Sequence, residues 1–197
     1  MSFEVERKLR PELSGDERLL WSGMPSQGLL FRPADVLMVP FSLMWGGFAI
    51  FWEYSVVSSK GAPIFFTLWG IPFVLVGLYM IVGRFFVDSY QRARTYYGVT
   101  DQRVIIVGGL VNQEVKSIAL QSLSDMSLNE RSNGSGSIAF GPSNPRYAMW
   151  TGTAWPGSSR QMAPAFELIA QVRTVYNIIR EAQRAESMET RNERAPS

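Results

Sequence analysis

"RTYYGVTDQRVIIVGGLV", residues 94–111, is the stretch on which the reading of this chain turns. Thr95 to Val99 is rich in β-forming residues, "TDQR" is a turn, and Arg103 to Val107 is a short apolar strand. Gly108 and Gly109 supply the positive φ angles of a tight hairpin, so a third strand is expected directly after them. Just upstream stands a segment of different character, "PIFFTLWGIPFVLVGLYMIVG", residues 63–83. A small β unit therefore follows immediately on a long apolar helix.

Working upstream, two runs carry no charge: 17 residues from Val36 to Trp52, and 23 from Gly61 to Gly83. As helices they measure roughly 26 Å and 34 Å, against a hydrocarbon core of about 30 Å. Leu29 to Ala34 extend the shorter run, with Asp35 near the headgroups. The two runs leave no polar face, which reads as a transmembrane hairpin. Ser42 and Gly46 have small-xxx-small spacing, and Gly70 and Gly77 thin the second helix, so these residues are expected to seat helix against helix. Pro72 is expected to kink the second span. Trp52 and Tyr54 suit an outer aromatic belt. The N-terminal flank carries Arg7, Lys8, Arg10, Arg18 and Arg32, and the C-terminal flank Arg84, Arg92, Arg94 and Arg103, whereas the connecting loop has only Lys60. The positive-inside rule then puts both termini in the cytoplasm. No charged residue interrupts either run, which argues against an ion pathway.

Downstream, strands are expected at Leu110–Lys116, around Ile118 and Leu120, at Met126 and Leu128, and, after the turn "RSNGSG", at Ile138 and Phe140. Residues 142–163 have no period and are rich in Pro, Gly, Ser and aromatics. From Pro164 the pattern is helical: Leu168, Val172, Val175, Ile179 and Ala182 form one apolar stripe. Beyond Ala185 the chain is polar and reads as disordered. "LSGDERLLW" admits two readings, a capped helix start with Ser14 and Glu17 in capping-box spacing, or an added strand.

Composition narrows the chemistry. There is no Cys and no His, and net charge is +2. Disulfides, thiolate nucleophiles, the usual zinc sites and His-based triads are excluded. No basic stripe marks a nucleic-acid surface. No carboxylate pair or phosphate-binding glycine loop has a recognisable motif, so catalytic, cofactor and metal residues are expected to be none.

"YYGVTDQRVIIVGGL", followed by "VKSIALQSLSDMSL" and "GSGSIAFG", resembles the bacterial pleckstrin-homology-like family, whose members run Tyr-x-(Val/Leu)-Thr-x-x-Arg, a strand, a glycine and a further apolar strand. Two spans often precede that domain, and "GDERLLWSGMPSQGL" is similar to a segment ahead of them. The resemblance implies an α+β membrane protein of the bacterial inner membrane. Its parts would be a cytoplasmic N-terminal segment (1–33), a helical transmembrane hairpin (34–87), a cytoplasmic PH-like antiparallel β-barrel or sandwich capped by a C-terminal helix (88–185), and a disordered tail (186–197). Phosphoinositide binding does not carry over, because the first strand–strand loop offers only Asp101, Gln102 and Arg103 where that function needs several cations.

Thr100 and Arg103 read as structural turn residues, Thr100 bonding the backbone of its own turn and Arg103 holding carbonyls or pairing with Asp101. Tyr147, Trp150 and Trp155 are the candidate partner-contact residues. The expected function is a non-catalytic, membrane-anchored binding or scaffold module for membrane-proximal proteins or for self-assembly as a homo-oligomer. The alternative is a lipid-headgroup-binding module or an accessory subunit of a transport complex. Expected partners are the bilayer and an unidentified membrane protein, with no nucleic acid.

Overall fold

A computed structural model describes residues 2–28, 35–59, 61, 63–110, 112–141 and 164–193. Helix α1 (Ser2–Leu9) and a 3-10 turn lead to strand β1 (Leu19–Gly23). Helix α2 (Asp35–Ser58) is answered by α3 (Ile64–Leu78), a π turn (Tyr79–Gly83) and α4 (Arg84–Ala93), which form one continuous helical stretch. Strands β2 (Tyr96–Thr100), β3 (Arg103–Gly108), β4 (Glu114–Ala119), β5 (Met126–Glu130), β6 (Gly136–Phe140) and β7 (Ala165–Ile169) precede the last helix, α5 (Val172–Glu193).

The fold is mixed α+β, with two antiparallel sheets ordered β1-β2-β3-β4 and β5-β6-β7. Among the described residues the sheets do not join into a closed barrel. They share one core with α5, whose stripe of Val172, Val175, Ile179 and Ala182 is buried as its spacing requires. At the centre Phe166 stacks on Tyr97 at 4.5 Å, meets Phe140 edge-on at 5.0 Å and lies 5.7 Å from Trp21 of β1.

Strand β3 is apolar without interruption because both its faces are covered. Val104 and Ile106 turn into the main core, while Ile105 and Val107 turn to Val5 and Leu9 of α1. The N-terminal segment thus contains a helix that its mixed charge conceals.

Of the two readings open for the segment ahead of the hairpin, the strand holds: Leu19–Gly23 pairs with Tyr97–Thr100, so the first sheet takes its edge from ahead of the apolar hairpin. Several other expectations are revised. Where two strands are expected, at 110–116 and around 118 and 120, the described residues form the single strand Glu114–Ala119, and Leu120 starts a 3-10 turn with its side chain buried. Of the glycine pair, Gly108 ends β3 opposite Glu114, and only Gly109 has positive φ. Helical structure begins at Val172, not at Pro164, because Ala165–Ile169 pairs with β6 as β7. Leu168 therefore belongs to a strand. At the other end α5 continues to Glu193, past Ala185, where polar composition alone reads as a tail.

α2 and the α3–α4 stretch are long and apolar enough to cross a membrane, at 24 and 30 residues. They pack along the small residues, with Ser42, Gly46 and Ala49 buried on α2 and Gly70 and Gly77 on α3. A Cβ on Gly77 would lie 2.9 Å from the Gly46 Cα, so the backbones touch. The helix runs on through Pro72, and its widened turn comes at Tyr79–Gly83. Outward side chains such as Val36, Phe48, Ile64 and Leu75 are exposed, each by more than half.

Candidate functional site at the base of the hairpin

Arg92 ties the apolar helices to the β unit. Arg92, on the buried side of α4, is 5 % exposed. Its Nε donates to Asp88 Oδ2 at 3.0 Å, one turn back along the helix. Its two Nη groups donate to the carbonyls of Ser26 and Gly28, the latter at 2.6 Å. Gln27 Nε2 in turn donates to the Arg92 carbonyl at 3.3 Å. A single planar cation with several fixed donors is suited to tie together carbonyls that no regular secondary structure satisfies.

The segment held in this way leaves β1 towards α2, and it is also tied to the second sheet. Ser26 donates its N–H (2.8 Å) and its hydroxyl (2.7 Å) to the Leu168 carbonyl of β7. Leu168 has φ +52°, unusual for a branched residue, and its N–H is taken by Ser137 Oγ at 3.2 Å. An unbroken path of hydrogen bonds therefore runs from α4 through residues 26–28 to β7 and β6. Beside it, where α2 and α4 begin, Arg84 lies 3.0 Å from Asp35, and both side chains are almost wholly buried.

A second polar cluster holds the entry to β1. Arg103 Nε and Nη2 donate to the two oxygens of Glu17, each at 2.8 Å, and Nη2 also reaches the Glu12 carbonyl. The Thr100 hydroxyl lies 2.7 Å from Glu17 Oε1 and 2.9 Å from the Arg103 carbonyl, and it accepts from the Gln102 and Arg103 N–H groups. The Arg103 guanidinium holds the Glu17 carboxyl at about 2, against the opposing effect of burial and with help from the Ser14 N–H and Thr100. Glu17 in turn raises Arg103 above its ordinary value. Asp101 does not meet Arg103. Its Oδ1 accepts the Arg18 N–H at 3.0 Å and its own N–H donates to the Arg18 carbonyl at 3.1 Å, just ahead of β1.

The structure thus brings Thr100 and Arg103 together around Glu17. Tyr147, Trp150 and Trp155 lie outside the described residues. Sequence reading missed the junction, since Arg92 and Ser26 are 66 positions apart and no local spacing links them. For Glu17 half of a signal exists. Its Oε2 accepts the Ser14 N–H at 3.0 Å, the bond a capping box would make, but here it closes a turn before a strand. Among the described residues no group of three or more metal-ligating side chains occurs. What the junction does chemically is position: it saturates carbonyls and fixes a helix against a sheet. Comparison with known proteins finds no matching family model, no matching curated protein and no matching solved structure.

Proposed function

We propose that the chain is a non-catalytic, membrane-anchored binding or scaffold module, with its hairpin in the bilayer and a pleckstrin-homology-like unit held at the cytoplasmic face. The observation that carries this reading is the pairing of β1 with β2 across the hairpin, fastened at its base by Arg92. Such a unit cannot swing freely on a linker. It is presented at a fixed distance from the apolar helices, so a partner in the same membrane meets it at raised effective concentration. Two further features support the reading. Among the described residues nothing covers the outward apolar surface of α2 and α3, and a sheet of four strands and a sheet of three share a core with a C-terminal helix.

The test is labelling from outside intact cells. Ser58→Cys, near the hairpin tip, is expected to react with an impermeant thiol reagent, whereas Ser187→Cys on α5 is expected to react only after lysis. Labelling of Ser187→Cys in intact cells overturns the orientation. Affinity capture from the native membrane then separates the two forms of the reading: one stoichiometric partner marks a binding module, self-association alone a scaffold.

A further inference from the structure

The helical stretch Ile64–Ala93 has 30 residues, about 45 Å at 1.5 Å per residue. A hydrocarbon core takes up about 30 Å of that. On the reading that the hairpin crosses a bilayer, the remaining turns, α4, stand in the headgroup zone beyond the Asp35–Arg84 pair. One side of α4, with Asp88 and Arg92, is committed to the junction. The other side continues the exposed stripe of the apolar helix: Leu78 and Val82 are followed by Phe86, 66 % exposed, and Tyr90, 48 % exposed.

Arg94 completes this stripe. It is exposed, and its guanidinium carbon lies 4.2 Å from the centre of the Tyr90 ring. Helical side chains lean towards the helix N-terminus. Here that direction points back to the membrane, so stacking on Tyr90 places the cation nearly one turn closer to the bilayer than its own Cα. Among the described residues no carboxylate or carbonyl takes its side-chain N–H groups, in contrast to Arg92 and Arg103.

We propose that Phe86, Tyr90 and Arg94 form a binding site for an anionic phospholipid in the leaflet that faces the β unit. Phe86 lies against the acyl–glycerol boundary and Tyr90 sits at the depth favoured by interfacial aromatics. Arg94 presents its planar fork of donors to the lipid phosphate, a geometry that suits guanidinium better than ammonium. The occupant is an anionic lipid and not a zwitterionic one, because a free cation on this face repels a choline group and, among the described residues, no acidic side chain pairs with it to receive one.

The proposal rests on the membrane reading above, and the experiment separates the two. The full chain is purified in detergent with equal amounts of phosphatidylcholine and phosphatidylglycerol, and retained lipids are counted by native mass spectrometry. The natural chain is expected to retain phosphatidylglycerol preferentially. Arg94→Gln is expected to lower that retention about tenfold, equivalent to about 1.4 kcal/mol, and Arg94→Lys to fall between the two. Equal retention by the natural chain and Arg94→Gln overturns the site. A loss of self-association in Arg94→Gln without a change in lipid also overturns it, in favour of a second copy on this face. Alkaline extraction of membranes that contain the natural chain tests the underlying reading alone: release of the chain sinks the hairpin anchor, while retention of the chain together with lipid counts that do not depend on Arg94 sinks only the headgroup site.

Discussion

The Glu17 side chain has no exposed surface, yet it is the acceptor for Arg103, Thr100 and Ser14. Its ionised form is favoured in the fold, with the carboxyl at about 2 in place of the ordinary 4.5. The sign of the pH effect follows. A depressed carboxyl stabilises fully above its unfolded value and loses that contribution as pH falls through the folded one. Thermal stability is therefore expected to fall between about pH 4.5 and 2, and Glu17→Gln should flatten that slope in a melting series. Arg103→Ala should be worse than Glu17→Gln at neutral pH. It leaves a buried carboxylate without its cation, at a cost of about 3–5 kcal/mol. Equal effects of the two changes would show that the pair acts through shape and not charge.

Between elements, the contact of Gly46 with Gly77 makes the hairpin seam a place where one methyl group matters. A Cβ on Gly77 meets backbone at 2.9 Å, which cannot step aside, whereas a Cβ on Gly47 meets nothing within 4 Å. Gly77→Ala is expected to destabilise the detergent-solubilised chain by about 1–3 kcal/mol, the usual cost of overpacking, and Gly47→Ala to leave it unchanged in the same denaturation assay. The seam was legible in the sequence, because helix-on-helix contact at Ser42, Gly46, Gly70 and Gly77 depends on residue size at fixed spacing. The α5 stripe was legible for the same reason. Leu168 was not, although it sits four residues before Val172. Its backbone conformation is held by Ser26 and Ser137, 142 and 31 positions away, and no periodicity encodes such partners. Helix α1 was hidden differently: only two of its apolar residues, Val5 and Leu9, are buried, while Phe3 is exposed, and two are too few to signal a helix. Only the unbroken apolar run of β3 hinted that its second face needed a cover.

At the scale of the whole molecule the β unit is not one stretch of chain, since β1 and α1 come from before the hairpin and the rest from after it. Residues 88–193 alone lack Trp21 beside Phe166 and leave Ile105 and Val107 bare. That fragment is expected to aggregate or melt far below the full chain. A chain in which a short glycine–serine linker replaces residues 29–87 is expected to fold, because Arg92 already reaches the Gly28 carbonyl at 2.6 Å and the ends to be joined are close. Circular dichroism melts of the two chains check this, and equal stability would show that β1 is dispensable. The split arrangement also sets an order on biosynthesis. Strand β1 leaves the ribosome first and waits about seventy residues for its partner, a closure that costs an unstructured chain about 4 kcal/mol. A packed hairpin removes most of that cost by bringing Asp35 within 3.0 Å of Arg84. With the hairpin in a bilayer, β1 and β2 can meet only if both spans have been inserted and both flanks remain on one side. On the membrane reading proposed above, a chain with one span misplaced would keep an unpaired β2 edge and an open core, so closure of the sheet would report that both flanks lie on one side.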